Sequence, residues 1–156
     1  MDVPAAFPER RPRRLRRTPT LRRLVAENRL SVDDLVAPLF VREGISDPQP
    51  IASLPGVVQH TRASLRAEVA ALREIGVPGV ILFGIPDRKD EVGSEAWNPD
   101  GIIQMALRDL RDDVGDEVVL VADLCLDEYT DHGHCGVLTP NGACLLYTSD
   151  AADDTP

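Results

Sequence analysis

Three unbroken apolar runs mark the chain between residues 35 and 122. They read LVAPLFV at 35–41, VILF at 80–83 and VVLVA at 118–122, and short runs rich in β-branched residues predict strands. Proline has no N–H to donate, so Pro38 places the first strand near a sheet edge, or itself near the start of the strand.

The segments between these runs have helical periodicity. In SLRAEVAALREIG, 64–76, apolar residues recur on one face, Ser64 is the predicted cap and Gly76 the predicted end. The segment PDGIIQMALRDLRDDVG, 99–115, carries a second apolar stripe. These patterns predict two amphipathic helices, each followed by a strand.

Two other segments precede this repeat. LRRLVAEN, 21–28, predicts a short helix capped by Thr20. The turn-rich stretch 45–61, ISDPQPIASLPGVVQHT, predicts a loop that returns across the end of the fold.

Unbroken apolar strands separated by helices predict a parallel sheet buried on both faces. An open doubly wound sheet and a (β/α)₈ barrel both fit this pattern, and both place chemistry at the carboxyl ends of strands. The polar segments at those ends are 83–101 and DLCLDEYTDHGHCG, 123–136.

The charged residues are distributed unevenly along the chain. Residues 1–29 carry nine arginines and three acidic residues, a balance of +6, whereas the whole chain has a net charge of −9. With four prolines before residue 20 and no apolar face, the start predicts an extended arm. Such an arm suits nucleic acid, an acidic membrane or the acidic surface of a neighbouring subunit. We favour the subunit because the rest of the chain is acidic and has no basic patch interleaved with aromatic residues.

No apolar run approaches the roughly 18 residues of a membrane-spanning helix, and the arginine-rich start lacks the features of a secretion signal. The three cysteines form no even-numbered disulfide framework. We therefore expect a cytoplasmic protein whose cysteines are ligands or redox thiols.

The segment 123–136 is a candidate metal site, with a loop that binds no metal as the alternative, because a Cys-x-Asp pair followed by a single cysteine lacks the repeated Cys-x-x-Cys of a structural zinc motif. Cys125 and Asp127 are two residues apart, so on a strand they would face the same side, and Gly133 allows the chain to fold back and deliver Cys135. Two thiolates and a carboxylate leave a fourth position open, as in catalytic zinc sites, although the carboxylate makes the set harder than three thiolates.

Other polar residues receive weaker interpretations. His132 and His134 are ligands, supporting donors or solvated loop residues, and Tyr129 is expected to pack. The carboxylates of DRKDE, 87–91, and RDDVGDE, 111–117, are interpreted as solvated, with no role assigned.

The segment 123–136 closely resembles the metal-binding segment of the porphobilinogen synthase family, also called delta-aminolevulinic acid dehydratase. The resemblance runs from about Arg11 to Gly142 and includes RPRRLRRTPTLRRLVAE, DLVAPLFVREG, LPGVVQHT, LREIGVPGVILFGIP and VGSEAWNPDGIIQ. It implies a partial (β/α)₈ TIM barrel with an extended N-terminal arm.

The resemblance also implies an activity. The family condenses two molecules of 5-aminolevulinate, with loss of water, to porphobilinogen for tetrapyrrole and haem synthesis. Its arm wraps a neighbouring subunit, which implies a homo-oligomer of the octamer type, with no nucleic acid and no membrane as partners.

Carried over by position, Cys125 and Cys135 match zinc-binding cysteines, and Asp123 matches an aspartate of the substrate pocket. Asp127 stands where zinc-dependent members have a cysteine, whereas members without this zinc have non-thiol residues in the segment. The predicted metal ligands are therefore Cys125, Asp127 and Cys135. Zinc is the expected ion, and magnesium is the alternative because of Asp127.

The lysines depart from the family. Its mechanism uses two active-site lysines, at least one forming a Schiff base, a task that suits an amine with a lowered pKa. The only lysine here, Lys89, matches neither position; the family has both beyond the point where this chain ends. We therefore expect the chain to be inactive by itself.

The final segment CLLYTSDAADDTP does not resemble the family and reads like a translated sequencing adapter. The predicted domains are an arm at 1–30, the first part of the barrel with about three strands at 31–143, and a non-native tail at 144–156, so Cys144 is not a candidate ligand. The alternative function is a non-catalytic metal-binding or assembly module that docks through its basic arm.

Overall fold

The structure, a computed structural model, describes residues 13–139 and Gly142. The predicted tail at 144–156 and the first twelve residues of the predicted arm lie outside this range. The chain groups into two compact units, residues 1–31 and 32–156, which we describe separately.

The first unit contains one short helix. A 3-10 turn at Arg14–Arg16 precedes helix α1, Pro19–Leu24. The side chain of Thr18 accepts a hydrogen bond from the Leu21 N–H (3.1 Å) and caps the helix, so the prediction of Thr20 as the cap is wrong. Proline suits the first helical position, because its missing N–H would have no partner there.

The second unit alternates strands and helices. Its strands are β1, Val36–Arg42; β2, Gln49–Pro50; β3, Val58–His60; β4, Gly79–Ile85; and β5, Val119–Ala122. Its helices are α2, Arg62–Glu74, and α3, Ile102–Val114, with 3-10 turns at Val32–Asp34 and Ser94–Trp97.

The strands form one sheet in the order β2-β3-β1-β4-β5. Strand β1 pairs in parallel with β4 from Val36↔Gly79 to Arg42↔Ile85, and β4 pairs in parallel with β5. Strand β1 also pairs with β3, so the prediction of an edge strand is wrong. Pro38 is nevertheless close to the strand's start, and pairing with β3 begins only at Phe40.

The segment 45–61 was predicted as a loop, but it contains β2 and β3. These strands pair antiparallel through Gln49↔Gln59 and Pro50↔Val58. They have two and three residues, too few for a periodic pattern. The sheet is therefore mixed, with β2 as its antiparallel strand.

Helix α2 begins earlier than predicted. The Thr61 side chain accepts from the Ser64 N–H (3.1 Å) and is the cap, so the choice of Ser64 is wrong by one turn. The end was predicted correctly: Gly76 follows the C-cap Ile75 with φ +85°, a conformation that glycine adopts readily.

Both long helices pack on one face of the sheet. The buried apolar residues of this core come from β1 and β4, from α2 and α3, and from the segments beside β5: Leu39, Val41, Val80, Leu82, Leu65, Val69, Ile102, Ile103, Ala106, Leu110, Val114, Val118 and Tyr129. The expected packing of Tyr129 is confirmed, since it is 4% exposed.

Paired charges join the outer surfaces of the two helices. Arg62 of α2 donates two hydrogen bonds to Asp109 of α3 (2.7 and 2.8 Å), and Arg66 does the same to Asp113 (2.6 and 2.6 Å). The bond with Arg66 lowers the pKa of Asp113. Asp113 was interpreted as merely solvated, and the structure instead gives it a helix-pairing role.

The opposite face of the sheet is open among the described residues. Phe40 stacks on Phe83 there (ring centroids 5.0 Å), and Val119 and Val121 of β5 are 63% and 39% exposed. The prediction of burial on both faces is therefore wrong for this chain, because α2 and α3 cover the same side. None of the described helices has the length and apolar character needed to span a bilayer.

The open face and the β5 edge predict self-association. Unpaired parallel edges with apolar side chains are templates for pairing with another chain, and lysine on such an edge opposes that pairing. We expect Val119→Lys to reduce aggregation of the purified chain, measured by light scattering and by the pelleted fraction. Ile75→Lys is the matched control, because Ile75 is 69% exposed but lies after α2. Equal solubility of both variants would contradict this explanation.

Candidate metal centre

The loops after β4 and β5 begin at the same edge of the sheet. The two strands run parallel from Gly79↔Val119 to Leu82↔Ala122, and the Asp123 N–H continues the pairing by donating to the Leu82 carbonyl (3.0 Å). Because parallel strands end together, the polar segments 86–98 and 123–139 lie beside each other.

Three side chains that could hold a metal ion meet in the second loop. Ligand atoms of Cys125, Asp127 and Cys135 all lie within 4.8 Å of one another. Cys125 and Asp127 follow the end of β5 at Ala122, so they do not lie on a strand, and a turn brings them together instead of a shared strand face. Within that turn, Tyr129 and Thr130 both donate backbone hydrogen bonds to the Leu126 carbonyl (2.9 Å).

Glycine returns the chain to the cluster, as predicted. Gly133 has φ +71°, and the Thr130 hydroxyl donates to the His134 carbonyl (2.8 Å). The reversal places Cys135 next to residues that precede it by eight to ten positions.

The donor set fits a divalent cation. Cys125 and Asp127 are half-buried and Cys135 is exposed, so the cluster is open on one side. Burial, and then a hydrogen bond with Cys135, raise the pKa of Cys125 to about 12, so the free thiol holds its proton at neutral pH. A metal binds the thiolate, and its binding therefore displaces a proton.

Asp123 orients this cluster. Its carboxylate accepts a hydrogen bond from the Cys125 N–H (3.2 Å), and its backbone is fixed to β4 as described above. The carboxylate thus connects the end of the sheet to the first thiol. Its role toward substrate stays a prediction.

The two histidines lie outside the donor cluster found among the described residues. His132 Nε2 is 3.2 Å from the Glu91 carbonyl, and His132 Nδ1 accepts from the His134 N–H (3.2 Å). These contacts support the loop, which agrees with one of the interpretations left open above.

Sequence reasoning missed Asp90, which was interpreted as solvated. Its carboxylate accepts from the Val92 N–H (3.1 Å), from the Ser94 N–H (2.9 Å) and from the Ser94 hydroxyl. Hydrogen bonds from Ser94 lower its pKa. An aspartate followed by Gly and Ser three and four residues later is typical of such side-chain-closed turns, and this was the available signal.

Glu128 was missed as well. Its Oε2 is buried without a hydrogen-bond partner among the described residues. Burial, followed by the charges of Asp127 and Asp123, raises its pKa to about 7, while Lys89 opposes the shift. No signal in the sequence distinguished this carboxyl from its neighbours.

The loop rests on β4 through an aromatic ring. A Cβ added at Gly84 would lie 2.6 Å from the Tyr129 hydroxyl oxygen and 2.9 Å from Ile103 Cβ. Only glycine allows this approach. The buried Tyr129 side chain therefore anchors the loop against β4 and α3.

Comparison with known proteins identifies one family. The family model for delta-aminolevulinic acid dehydratase matches residues 9–152. Delta-aminolevulinic acid dehydratase of Streptomyces coelicolor is 56% identical over 144 residues, covering 91% of this chain and 44% of the relative. That of Escherichia coli is 42% identical over 132 residues, covering 85% and 40%. The chain thus spans less than half the length of these relatives.

A solved structure has the same fold. Delta-aminolevulinic acid dehydratase (porphobilinogen synthase) of Toxoplasma gondii, in complex with the reaction product porphobilinogen, superposes with a TM-score of 0.78 at 34% identity. The match covers 87% of this chain and 39% of that one. The predicted fold class, part of a TIM barrel, is confirmed, and the open doubly wound sheet is excluded.

The contact between Gly84 and Tyr129 predicts a local cost. Gly84→Ala forces the buried ring or Ile103 to move, so we expect a loss of about 1–3 kcal/mol in the free energy of unfolding, measured by urea denaturation. Gly79→Ala in the same strand is the control, because its added Cβ would meet nothing closer than 3.5 Å. Equal losses in the two variants would show that the close approach is not the cause.

Proposed function

The chain belongs to the delta-aminolevulinic acid dehydratase family, and we propose that its residues serve the porphobilinogen synthase reaction. In this reaction two molecules of 5-aminolevulinate condense, with loss of water, to porphobilinogen for haem and other tetrapyrroles. The observation that carries the proposal is the convergence of Cys125, Asp127 and Cys135 within 4.8 Å at the carboxyl edge of the sheet, where barrel enzymes place their chemistry.

We assign different roles to the residues at the carboxyl edge of the sheet. Cys125, Asp127 and Cys135 would hold the metal ion, which supplies polarisation of a substrate carbonyl when bound. Asp123 orients Cys125 through its N–H, and we propose that the same half-buried carboxylate contacts the substrate. Tyr129 and Gly84 keep the loop against β4.

We propose zinc as the ion, with magnesium as the alternative. Two of the three donors are thiols, which favour zinc over magnesium, while Asp127 makes the set harder than three thiolates. The fourth position stays open to substrate or water. Thiols so close together remain ligands only while reduced, which supports a cytoplasmic location.

The chain alone is proposed to bind metal without catalysis. Lys89 is its only lysine. It is exposed in the loop after β4 and does not match the family's Schiff-base positions. Without those lysines no imine with substrate can form, whatever the state of the metal cluster.

We propose a homo-oligomer, of the octamer type, assembled through the arm at residues 1–30. The arm's nine arginines complement an otherwise acidic chain, so a second copy of the chain is a suitable partner. The proposed barrel portion is then 31–143, and the proposed non-native tail is 144–156, although the family model matches as far as residue 152.

Metal binding gives the first test. The reduced chain should bind one Zn²⁺, measured by competition with a chromophoric chelator, and Mg²⁺ should not displace it. Cys125→Ser removes a ligand and should weaken Zn²⁺ binding by more than about 100-fold, since even partners of ligands contribute 10- to 100-fold. Asp127→Cys should strengthen it. Cys144→Ser is the control and should change nothing; Zn²⁺ binding unaffected by Cys125→Ser would refute the site.

Turnover gives the second test. The chain with Zn²⁺ and 5-aminolevulinate should form no porphobilinogen, detected by the colour reaction of pyrroles, because the imine-forming lysines are missing. Residues 1–143 joined to the unmatched remainder of the Streptomyces coelicolor relative should form it, and Cys125→Ser in this chimera should abolish it. A chimera that melts cooperatively but is inactive would favour the non-catalytic module instead.

A further inference from the structure

One carboxylate closes the turn that lies against the loop after β5, residues 123–139, here called the metal loop. Asp90 Oδ1 accepts from the backbone N–H groups of Val92 and Ser94, and Oδ2 accepts from the Ser94 hydroxyl. The Gly93 N–H also donates to the Asp90 carbonyl (3.3 Å). Segment 90–94, here called the Asp90 turn, is therefore held by one side chain and its own backbone.

The same residue is hydrogen-bonded to the metal loop. The Asp90 N–H donates to the Tyr129 carbonyl (3.4 Å), and the Asp90 carbonyl accepts from the Asp131 N–H (3.1 Å). These bonds form a parallel bridge between Asp90 and Thr130. The partners of Asp90, residues 129–131, lie between Asp127 and Cys135 in the sequence, so these bonds constrain the backbone that connects the two proposed ligands.

Packing adds to these bonds. A Cβ at Gly93 would lie 3.3 Å from Tyr129 Cβ and 3.4 Å from Thr130 Cγ2, and the Gly93 φ is +70°. Thr130, 1% exposed, donates its hydroxyl to the carbonyl of His134, the residue before Cys135. A continuous series of contacts thus connects the Asp90 turn to the last ligand.

We propose that Asp90 is a positioning residue for the metal site: it holds the turn that fixes the spacing between Asp127 and Cys135. The inference rests on the metal binding proposed above. Asp90 is not a ligand, and it acts through geometry, because its carboxylate is occupied by the Val92 and Ser94 donors.

The hydrogen bonds of Asp90 predict different effects for two substitutions. Asp90→Ala removes all three side-chain hydrogen bonds. Asp90→Asn keeps an Oδ1 for the two backbone donors and offers an amide to the Ser94 oxygen, so it preserves the turn without the charge. A positioning role predicts that Asn rescues what Ala loses, whereas an electrostatic role predicts that both variants fail alike.

The experiment is a Co²⁺ titration of the reduced 156-residue chain, followed by the thiolate-to-cobalt charge-transfer band and the d–d bands. We expect Asp90→Ala to weaken Co²⁺ binding about tenfold or more and to alter the d–d bands, and Asp90→Asn to bind within about threefold of the unchanged chain. Asp87→Ala is the control, an aspartate of the same loop with no side-chain hydrogen bond to segment 90–94 among the described contacts.

The outcomes are distinct. If the unchanged chain binds no Co²⁺ or Zn²⁺, the metal function itself is refuted. If it binds and Asp90→Ala binds equally well, or if Asp90→Asn is as weak as Asp90→Ala, only the positioning role is overturned. Should Asp90→Ala lose its far-UV circular dichroism, Ser94→Ala decides: we expect a smaller fall of at least about twofold, and unchanged binding overturns the proposal.

Discussion

The candidate site depends on the parallel pairing of β4 with its two neighbours, β1 and β5. The register of β1 with β4 runs without interruption from Val36↔Gly79 to Arg42↔Ile85, with Phe40 stacked on Phe83 on one face and Leu39 beside Leu82 in the core. Strand β5 extends the sheet from β4. The pairing fixes where each strand ends, and thus which loops meet.

The two loops at that edge have little regular structure, and side chains supply the missing backbone partners. Asp123 satisfies the Cys125 N–H, Asp90 satisfies those of Val92 and Ser94, and Thr130 satisfies the His134 carbonyl. Polar side chains that bond to nearby backbone favour turns over helix or strand. The same residues therefore prevent regular structure here and define the conformation that replaces it.

Apolar periodicity was sufficient to predict β1, β4, β5 and both long helices, because the secondary structure of these segments follows from burying their apolar faces against one another. Periodicity was insufficient where one hydrogen bond or one strand pairing determines the local structure. Thr61 displaced Ser64 as the cap of α2, and the short β3 is defined by its pairing with β1 and β2. One-sided burial of the sheet was also not predictable, since alternation within β1 appears only once both helices lie on the same face.

The donor cluster was predictable from residue types, but the backbone conformation that brings the donors together was not. Thiols and a carboxylate in a polar segment indicate a metal, whereas their convergence through a turn depends on Leu126, Gly133 and Thr130. Asp90 was not recognised because an aspartate in a polar run resembles a solvated one until its partner loop is placed. Its structural role depends on contacts between two segments about forty residues apart in the sequence.

It follows that the metal-binding part of the proposed reaction is local. The three donors and Asp123 lie within 123–135, and the hydrogen bonds that hold them come from Leu82 and the turn around Asp90. None of these contacts requires a closed barrel, whereas the proposed turnover also requires imine-forming lysines, a role that we do not assign to Lys89. Metal affinity and turnover should therefore be separable properties, the first set by how two neighbouring loops pack and the second by residues of the remaining barrel.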